Sequence, residues 1–135
     1  MLLSMTGKDL LRRLQSLDSE EFDYPVVFEA GFLSSYNPPV SDIIYEGKFA
    51  YSLILSRGSS SMTGRDLLKK LQTFNESQLD TLVKIKNGGW GYDDLESMKV
   101  YRAPRGFYNL NNSTSKIVLY ADPFWFIEGI LNTVM

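Results

Sequence analysis

The chain contains neither cysteine nor histidine among its 135 residues. The absence of cysteine excludes disulfides, zinc–thiolate sites and thiol nucleophiles. The absence of histidine removes the commonest metal ligand and the commonest general base, so any catalysis would depend on carboxylates, lysines, tyrosines and hydroxyls. We therefore predict a protein that is not an enzyme and that holds no metal or cofactor.

A strong charge imbalance and a long apolar run are also lacking. With 14 basic and 16 acidic residues, the formal net charge of -2 gives no general attraction to nucleic acid. No apolar run reaches the roughly 20 residues of a membrane helix, and the N-terminus lacks the basic region of a signal peptide. We expect a cytoplasmic protein with no membrane contact, whose partner is a protein rather than a nucleic acid.

One stretch of the chain occurs twice with conservative differences. Residues 4–17 read SMTGKDLLRRLQSL and residues 61–74 read SMTGRDLLKKLQTF, so that Met5 corresponds to Met62. Further residues match at the same spacing: Asp23 and Asp80, Val26 and Val83, and Gly31 and Gly88. Such self-similarity is typical of an internal repeat, and we interpret the chain as a tandem duplication.

Each copy begins with a signal for the start of a helix. Thr6 and Thr63 are the expected N-caps, and Asp9 and Asp66, three residues later, complete a variant of the capping box. The apolar residues that follow recur at helical spacing: Leu10, Leu11, Leu14 and Leu17, and in the second copy Leu67, Leu68, Leu71 and Phe74. They predict one apolar stripe on each helix.

Three strands are predicted after each helix. They cover residues 24–29, 40–45 and 49–55 in the first copy, and 82–86, 98–102 and 117–120 in the second. The alternation of Lys84 and Lys86 with apolar residues indicates an antiparallel sheet with one face open to solvent. Asp122 and Pro123 predict the start of a short apolar helix at the C-terminus.

The predicted fold class is α+β, a tandem duplication of a helix plus three-strand unit. We expect a mostly antiparallel sheet with the helices on one face and an extra C-terminal helix. Residues 1–60 would form the first αβββ repeat and residues 61–135 the second, together one compact pseudo-two-fold domain derived from a fused homodimer. The sequence leaves open whether the repeats share one sheet or form two, and whether the chain is a monomer or a homodimer.

The most unusual segment is residues 87–94, NGGWGYDD, which reads as a glycine-rich loop. Trp90 and Tyr92 are candidate anchors for a protein partner, because such residues dominate interface energies, and Asp93 and Asp94 follow them directly. The alternative is a glycine-rich turn whose Trp90 packs into the core. No helix signal follows the glycines, so the segment is not a dinucleotide-binding motif.

Two other groups of residues support alternative functions. A metal-dependent or carboxylate hydrolase would use an acidic cluster: Asp93, Asp94 and Glu96, or Glu20, Glu21 and Asp23. A nucleic-acid-binding or nucleic-acid-mimicking protein would use the basic residues Lys84, Lys86, Arg102 and Arg105. Basic and aromatic residues also interleave near the last two, as in proteins that bind single strands: Tyr101, Arg102, Arg105, Phe107 and Tyr108. Neither acidic cluster has the ligand spacing of a known metal-binding loop.

Residues 5–11, MTGKDLL, together with the apolar-striped helix and the strand residues Val26 to Phe28, resemble small uncharacterised proteins of bacteria and phages. The resemblance covers the first half of each repeat. It implies an accessory role, which for phage proteins can be the inhibition of host machinery. We therefore predict a protein-binding module, such as a phage or mobile-element inhibitor of a host defence complex. Its predicted binding residues are Trp90, Tyr92, Asp93, Asp94, Arg102 and Arg105.

Overall fold

The computed structural model of the chain describes residues 4–29, 38–47, 51–86, 92–103 and 115–121. These residues form a mixed sheet and short helices. The helices are α1 (Gly7–Gln15), α2 (Gly64–Leu71), α3 (Glu76–Leu79) and a short 3-10 helix (Glu21–Asp23). The strands are β1 (Val26–Glu29), β2 (Val40–Glu46), β3 (Ser52–Arg57), β4 (Val83–Lys86), β5 (Tyr92–Tyr101) and β6 (Lys116–Ala121). None of the helices in the described residues is long and apolar enough to cross a membrane.

All six strands belong to one curled sheet with the order β1-β6-β5-β4-β3-β2. The β2–β3, β4–β5 and β5–β6 pairs are antiparallel, whereas β3–β4 and β1–β6 are parallel. The two edge strands approach each other where Val27 forms an isolated bridge with Pro39, and where the Phe28 N–H donates to the Pro38 carbonyl at 2.9 Å. The fold is therefore a mixed α/β arrangement built on a curled sheet.

The core joins buried residues of the sheet with buried residues of the two longer helices. Leu10, Leu14, Leu67 and Leu71 of the helices are fully buried, as the apolar stripes predicted. They join one cluster with inward-facing strand residues that include Leu53, Leu55, Leu95, Ile117 and Leu119. Since the sheet curls rather than lying open, the predicted layer of helices on one face stays a prediction.

Both helix starts have the predicted capping box. Thr6 Oγ1 accepts the Asp9 N–H at 3.2 Å, and the Asp9 carboxylate accepts the Thr6 N–H at 3.0 Å. In the second copy, Thr63 and Asp66 make the same two bonds at 3.1 Å each. Gly7 is the first residue of α1, where a Cβ atom would lie 2.5 Å from Leu53 Cδ1, so this close approach favours glycine.

The two halves of the chain, residues 1–60 and 61–135, exchange backbone hydrogen bonds in matched pairs. Two methionines each lie between two strands of the other half. Their bonds are Met5 N to Leu95 O (2.8 Å), Val83 N to Met5 O (2.9 Å), Met62 N to Val40 O (2.7 Å) and Val26 N to Met62 O (2.8 Å). The sequence repeat therefore coincides with reciprocal contacts between the halves, whereas the duplication itself and the predicted boundary at residue 60 stay predictions.

Several predicted elements differ from those observed. β5 begins at Tyr92 rather than at residue 98, so Tyr92, Asp93 and Asp94 lie in a strand and not in a loop. An irregularity in the β5–β6 register between Leu95 and Ser97 interrupts the apolar alternation that would have revealed this strand. β3 ends at Arg57 rather than at residue 55, and α3 and the 3-10 helix were not predicted. The predicted C-terminal helix lies outside the described residues.

Candidate functional site

The outer face of the sheet carries a row of side chains in register across β2, β3, β4 and β5. Cross-strand pairing joins Ile44 to Ile54, Ile54 to Lys84, and Lys84 to Asp94. Lys86 and Tyr92 form the next pair on this side of β4 and β5. We call the surface formed by Ile44, Ile54, Lys84, Lys86, Tyr92 and Asp94 the β2–β5 face.

The β2–β5 face exposes large apolar side chains. Ile44 is 40% exposed and Tyr92 is 43% exposed. Ile54 lies between Ile44 and Lys84 in the row and is only 5% exposed, although it does not belong to the inner core cluster. The face therefore combines one buried isoleucine, Ile54, with an isoleucine and a tyrosine that are accessible to a partner.

The ion pair between Lys84 and Asp94 lies on the same face. Lys84 Nζ donates to Asp94 Oδ1 at 2.9 Å, and Ser4 Oγ donates to Asp94 Oδ2 at 3.0 Å. The pKa of Asp94 lies below its ordinary value of 3.8, chiefly because Lys84 donates a hydrogen bond to the carboxylate. Partial burial of Asp94 acts in the opposite direction. Asp94 is therefore ionised near neutral pH and its charge is neutralised by Lys84.

Arg102, at the end of β5, is held by a cluster of acidic residues around the 3-10 helix. Its Nε donates to Glu21 Oε2 at 3.2 Å, its Nη1 lies 3.9 Å from a Glu20 carboxylate oxygen, and its Nη2 pairs with Asp18. The pKa of Asp18 is lowered, chiefly by the Glu21 backbone N–H and further by Arg102. Arg102 thus fastens the 3-10 helix to the sheet.

Four of the acidic residues considered as cation ligands have basic partners: Glu20, Glu21, Asp23 and Asp94. Glu20 and Glu21 contact Arg102, and Asp23 lies 3.5 Å from Arg65 Nε. Within the described ranges, no group of three or more acidic side chains is arranged to hold a metal ion. The geometry of these residues is that of ion pairs within the chain.

Two lysine–tyrosine pairs lie on the outer face of β5 and β6. Lys99 Nζ is 5.2 Å from the centre of the Tyr120 ring, and Lys116 Nζ is 5.6 Å from that of Tyr101. Burial raises the pKa of Tyr120, and the nearby Glu29 carboxylate adds to this effect. Sequence reasoning identified Tyr101 as an aromatic neighbour of Arg102, but it missed these pairs because they depend on the register of two strands.

The predicted binding residues do not all meet in one place. Tyr92 and Asp94 lie on the β2–β5 face, whereas Asp93 between them pairs with the inward-facing Ile85. Arg102 belongs to the acidic cluster described above. Trp90 and Arg105 lie outside the described residues.

Ile44 and Ile54 were not identified as site residues from the sequence. They belong to β2 and β3, which lie far from β5 along the chain, and no sequence pattern shows that they share a face with Tyr92. Only the order of the strands brings them together. No protein-family model, curated protein or solved structure matches the chain.

Proposed function

We propose that the chain is a non-enzymatic protein-binding module that contacts its partner with the β2–β5 face. The observation that carries the proposal is the joint exposure of Ile44 and Tyr92 on one face of the sheet. A few aromatic and aliphatic anchors provide most of the binding energy of a typical interface. The rigid strands beneath them would present these anchors without a large loss of conformational entropy on binding.

The distribution of charge supports a protein partner over a nucleic acid. Lys84 is paired with Asp94, and Arg102 with three carboxylates, so two of the basic residues required by the nucleic-acid alternative are already neutralised. Affinity for nucleic acid depends on cations that are free to replace the counterions of phosphate groups. Lys86 is the exposed cation that remains on the β2–β5 face.

The hydrolase alternative has less support from the same geometry. A general base works best when its pKa lies near the operating pH. Asp94 has a pKa below 3.8 because Lys84 donates to it, which makes it a weak base. Its ion pair instead suits a surface that packs against another protein with its charges already satisfied.

The proposed biological role is that of a phage or mobile-element protein that inhibits a host defence complex in the cytoplasm. The resemblance of the capped helix and first strand to small accessory proteins supports this role. We further propose that the chain arose by tandem duplication of a homodimeric unit. The repeated segments at residues 4–17 and 61–74 and the reciprocal hydrogen bonds of Met5 and Met62 support this origin.

Affinity purification from a lysate of the natural host cells tests the protein-binding proposal. The tagged chain is compared with Tyr92→Ala and Ile44→Asp, with and without nuclease treatment, and co-purifying proteins are identified by mass spectrometry. We expect a stoichiometric protein partner that both substitutions reduce at least tenfold, because each removes or disrupts an anchor of the β2–β5 face.

Tyr101→Ala is the matched control, since Tyr101 lies on the same strand and is 42% exposed, almost as much as Tyr92. It should leave the partner bound. Circular dichroism of each variant checks that the fold is retained. Capture that is equal for all folded variants would place the binding surface elsewhere, and recovery of nucleic acid alone would favour the nucleic-acid alternative.

A further inference from the structure

The connection between the two halves has an unusual path. Arg57, at the end of β3, pairs with Val40 on one side of β2, while Met62 bonds to Val40 from the opposite side. Residues 58–61 therefore cross β2 from one side to the other. They are exposed, and they are fixed to β2 by a bond from the Gly58 N–H to the Pro39 carbonyl at 3.3 Å and by one from Ser41 Oγ to the Ser60 carbonyl at 2.6 Å.

Two strand pairs, several backbone hydrogen bonds and the core cluster join the two halves that this connection links. The parallel pairs β3–β4 and β1–β6 each join one half to the other, and Met5 and Met62 insert reciprocally. The core cluster contains the helix leucines of both halves. Each half therefore offers a surface that is complementary to the other half, whichever chain supplies it.

We propose that the two halves of this chain also assemble between two copies, by exchange of halves, and that residues 58–61 are just long enough to keep the closed monomer predominant. In the exchanged dimer, residues 1–60 of each chain pack against residues 61–135 of its partner, and every contact between the halves is kept. The connecting residues alone change their path. The exchanged dimer would carry two β2–β5 faces and would therefore be a bivalent binding module. This assembly goes beyond the proposed function.

The length of the connection decides between the closed chain and the exchanged dimer. The segments on either side of β2, which are β3 and the chain at Met62, are separated by about 10 Å, twice the spacing of neighbouring strands. From Arg57 to Met62 the chain takes five steps, which span at most about 17 Å, so the crossing over β2 fits with little slack. If residues 59–61 are removed, two steps span only about 7 Å, and the chain cannot close on itself.

Deletion of Ser59, Ser60 and Ser61 tests the proposal by size-exclusion chromatography with light scattering. We expect the shortened chain to be folded by circular dichroism and to have twice its own monomer mass, slightly less than twice the 15.4 kDa of the full chain. The matched control replaces the same three residues by glycine, which keeps the length, and it should remain predominantly monomeric at micromolar concentration. A shortened chain that is a folded monomer, or one that is unfolded or polydisperse, would overturn the proposal.

Complementation between two full-length chains provides a second test. Leu10→Asp disrupts the core contribution of the first half, and Leu67→Asp that of the second half, so each variant alone should be unfolded. When the two are refolded together, exchange unites one intact first half with one intact second half. We expect about half of the native circular dichroism signal to return, whereas no recovery on mixing would contradict the exchange of halves.

Discussion

At the scale of single residues, equivalent positions of the two halves carry different side chains on the outer face of the sheet. Val27 of β1 corresponds to Lys84 of β4 when the two copies of the repeat are aligned. Val27 pairs with Val118 of β6, and both are almost buried, whereas Lys84 pairs with Ile54 and binds Asp94. The same backbone position therefore supports an apolar surface in one half and an ion pair in the other.

Replacement of Asp94 by asparagine should make the contribution of this ion pair visible as a function of pH. The folded-state pKa of Asp94 lies below its ordinary value of 3.8, so the pair stabilises the fold fully above that pH and loses its effect as the pH falls through the folded-state pKa. We expect Asp94→Asn to lower the free energy of unfolding by about 1 kcal/mol at neutral pH.

Urea denaturation of both proteins at pH 7 and at a pH well below 3.8 measures this difference, which should shrink at the lower pH as Asp94 takes up a proton. Glu96→Gln, on the same strand, serves as the control for the loss of a carboxylate outside this ion pair. An equal loss of stability at both pH values would mean that Asp94 acts through packing rather than through its charge.

At the scale of elements, the helix starts could be predicted from the sequence and the ion pairs could not. A capping box involves residues only three positions apart, so its chemistry is visible in the sequence. The contacts of Arg102 with Asp18 and Glu21 join residues more than 80 positions apart. Their meeting depends on the strand order and on the long β5, whose polar outer residues resemble a loop in the sequence.

Removal of either N-cap should destabilise the molecule by a similar amount. Thr6→Ala and Thr63→Ala each leave one N–H group of a helix start, that of Asp9 or Asp66, without its acceptor, and we expect a loss of about 1 kcal/mol for each. Thermal denaturation followed by circular dichroism measures the effect. The control variants Thr6→Ser and Thr63→Ser keep the hydroxyl and should retain most of the stability. An equally large loss on serine substitution would indicate that the threonine methyl group, rather than the cap hydrogen bond, provides the stabilisation.

At the scale of the whole molecule, the core cluster shared by the described parts of both halves makes the halves depend on each other. Leu14 of α1 and Leu71 of α2 are both fully buried in the same cluster. The repeat allowed prediction of the leucine stripes, but the closure of the sheet depends on the Val27–Pro39 bridge, which no local pattern indicates. The curled shape could therefore not be predicted from the sequence.

Substitution of a core leucine in either half should destabilise the entire molecule. We expect Leu14→Ala and Leu71→Ala each to lower the free energy of unfolding by about 2–5 kcal/mol, because each leaves a cavity in the shared core. Near-UV and far-UV circular dichroism should still report one common transition in urea. Two separate transitions in either variant would show that the halves unfold independently.

The parallel pair β1–β6 also determines how the chain must reach its native state. The β2–β3 hairpin closes over only a few residues, whereas Val26 pairs with Ile117, which lies near the other end of the chain. Contacts of such long range incur the loop-closure entropy before they provide any stabilisation, and proteins rich in them fold slowly, in milliseconds to seconds. The hairpins are therefore the natural early structures, and the two parallel seams between the halves would form last and limit the rate of folding.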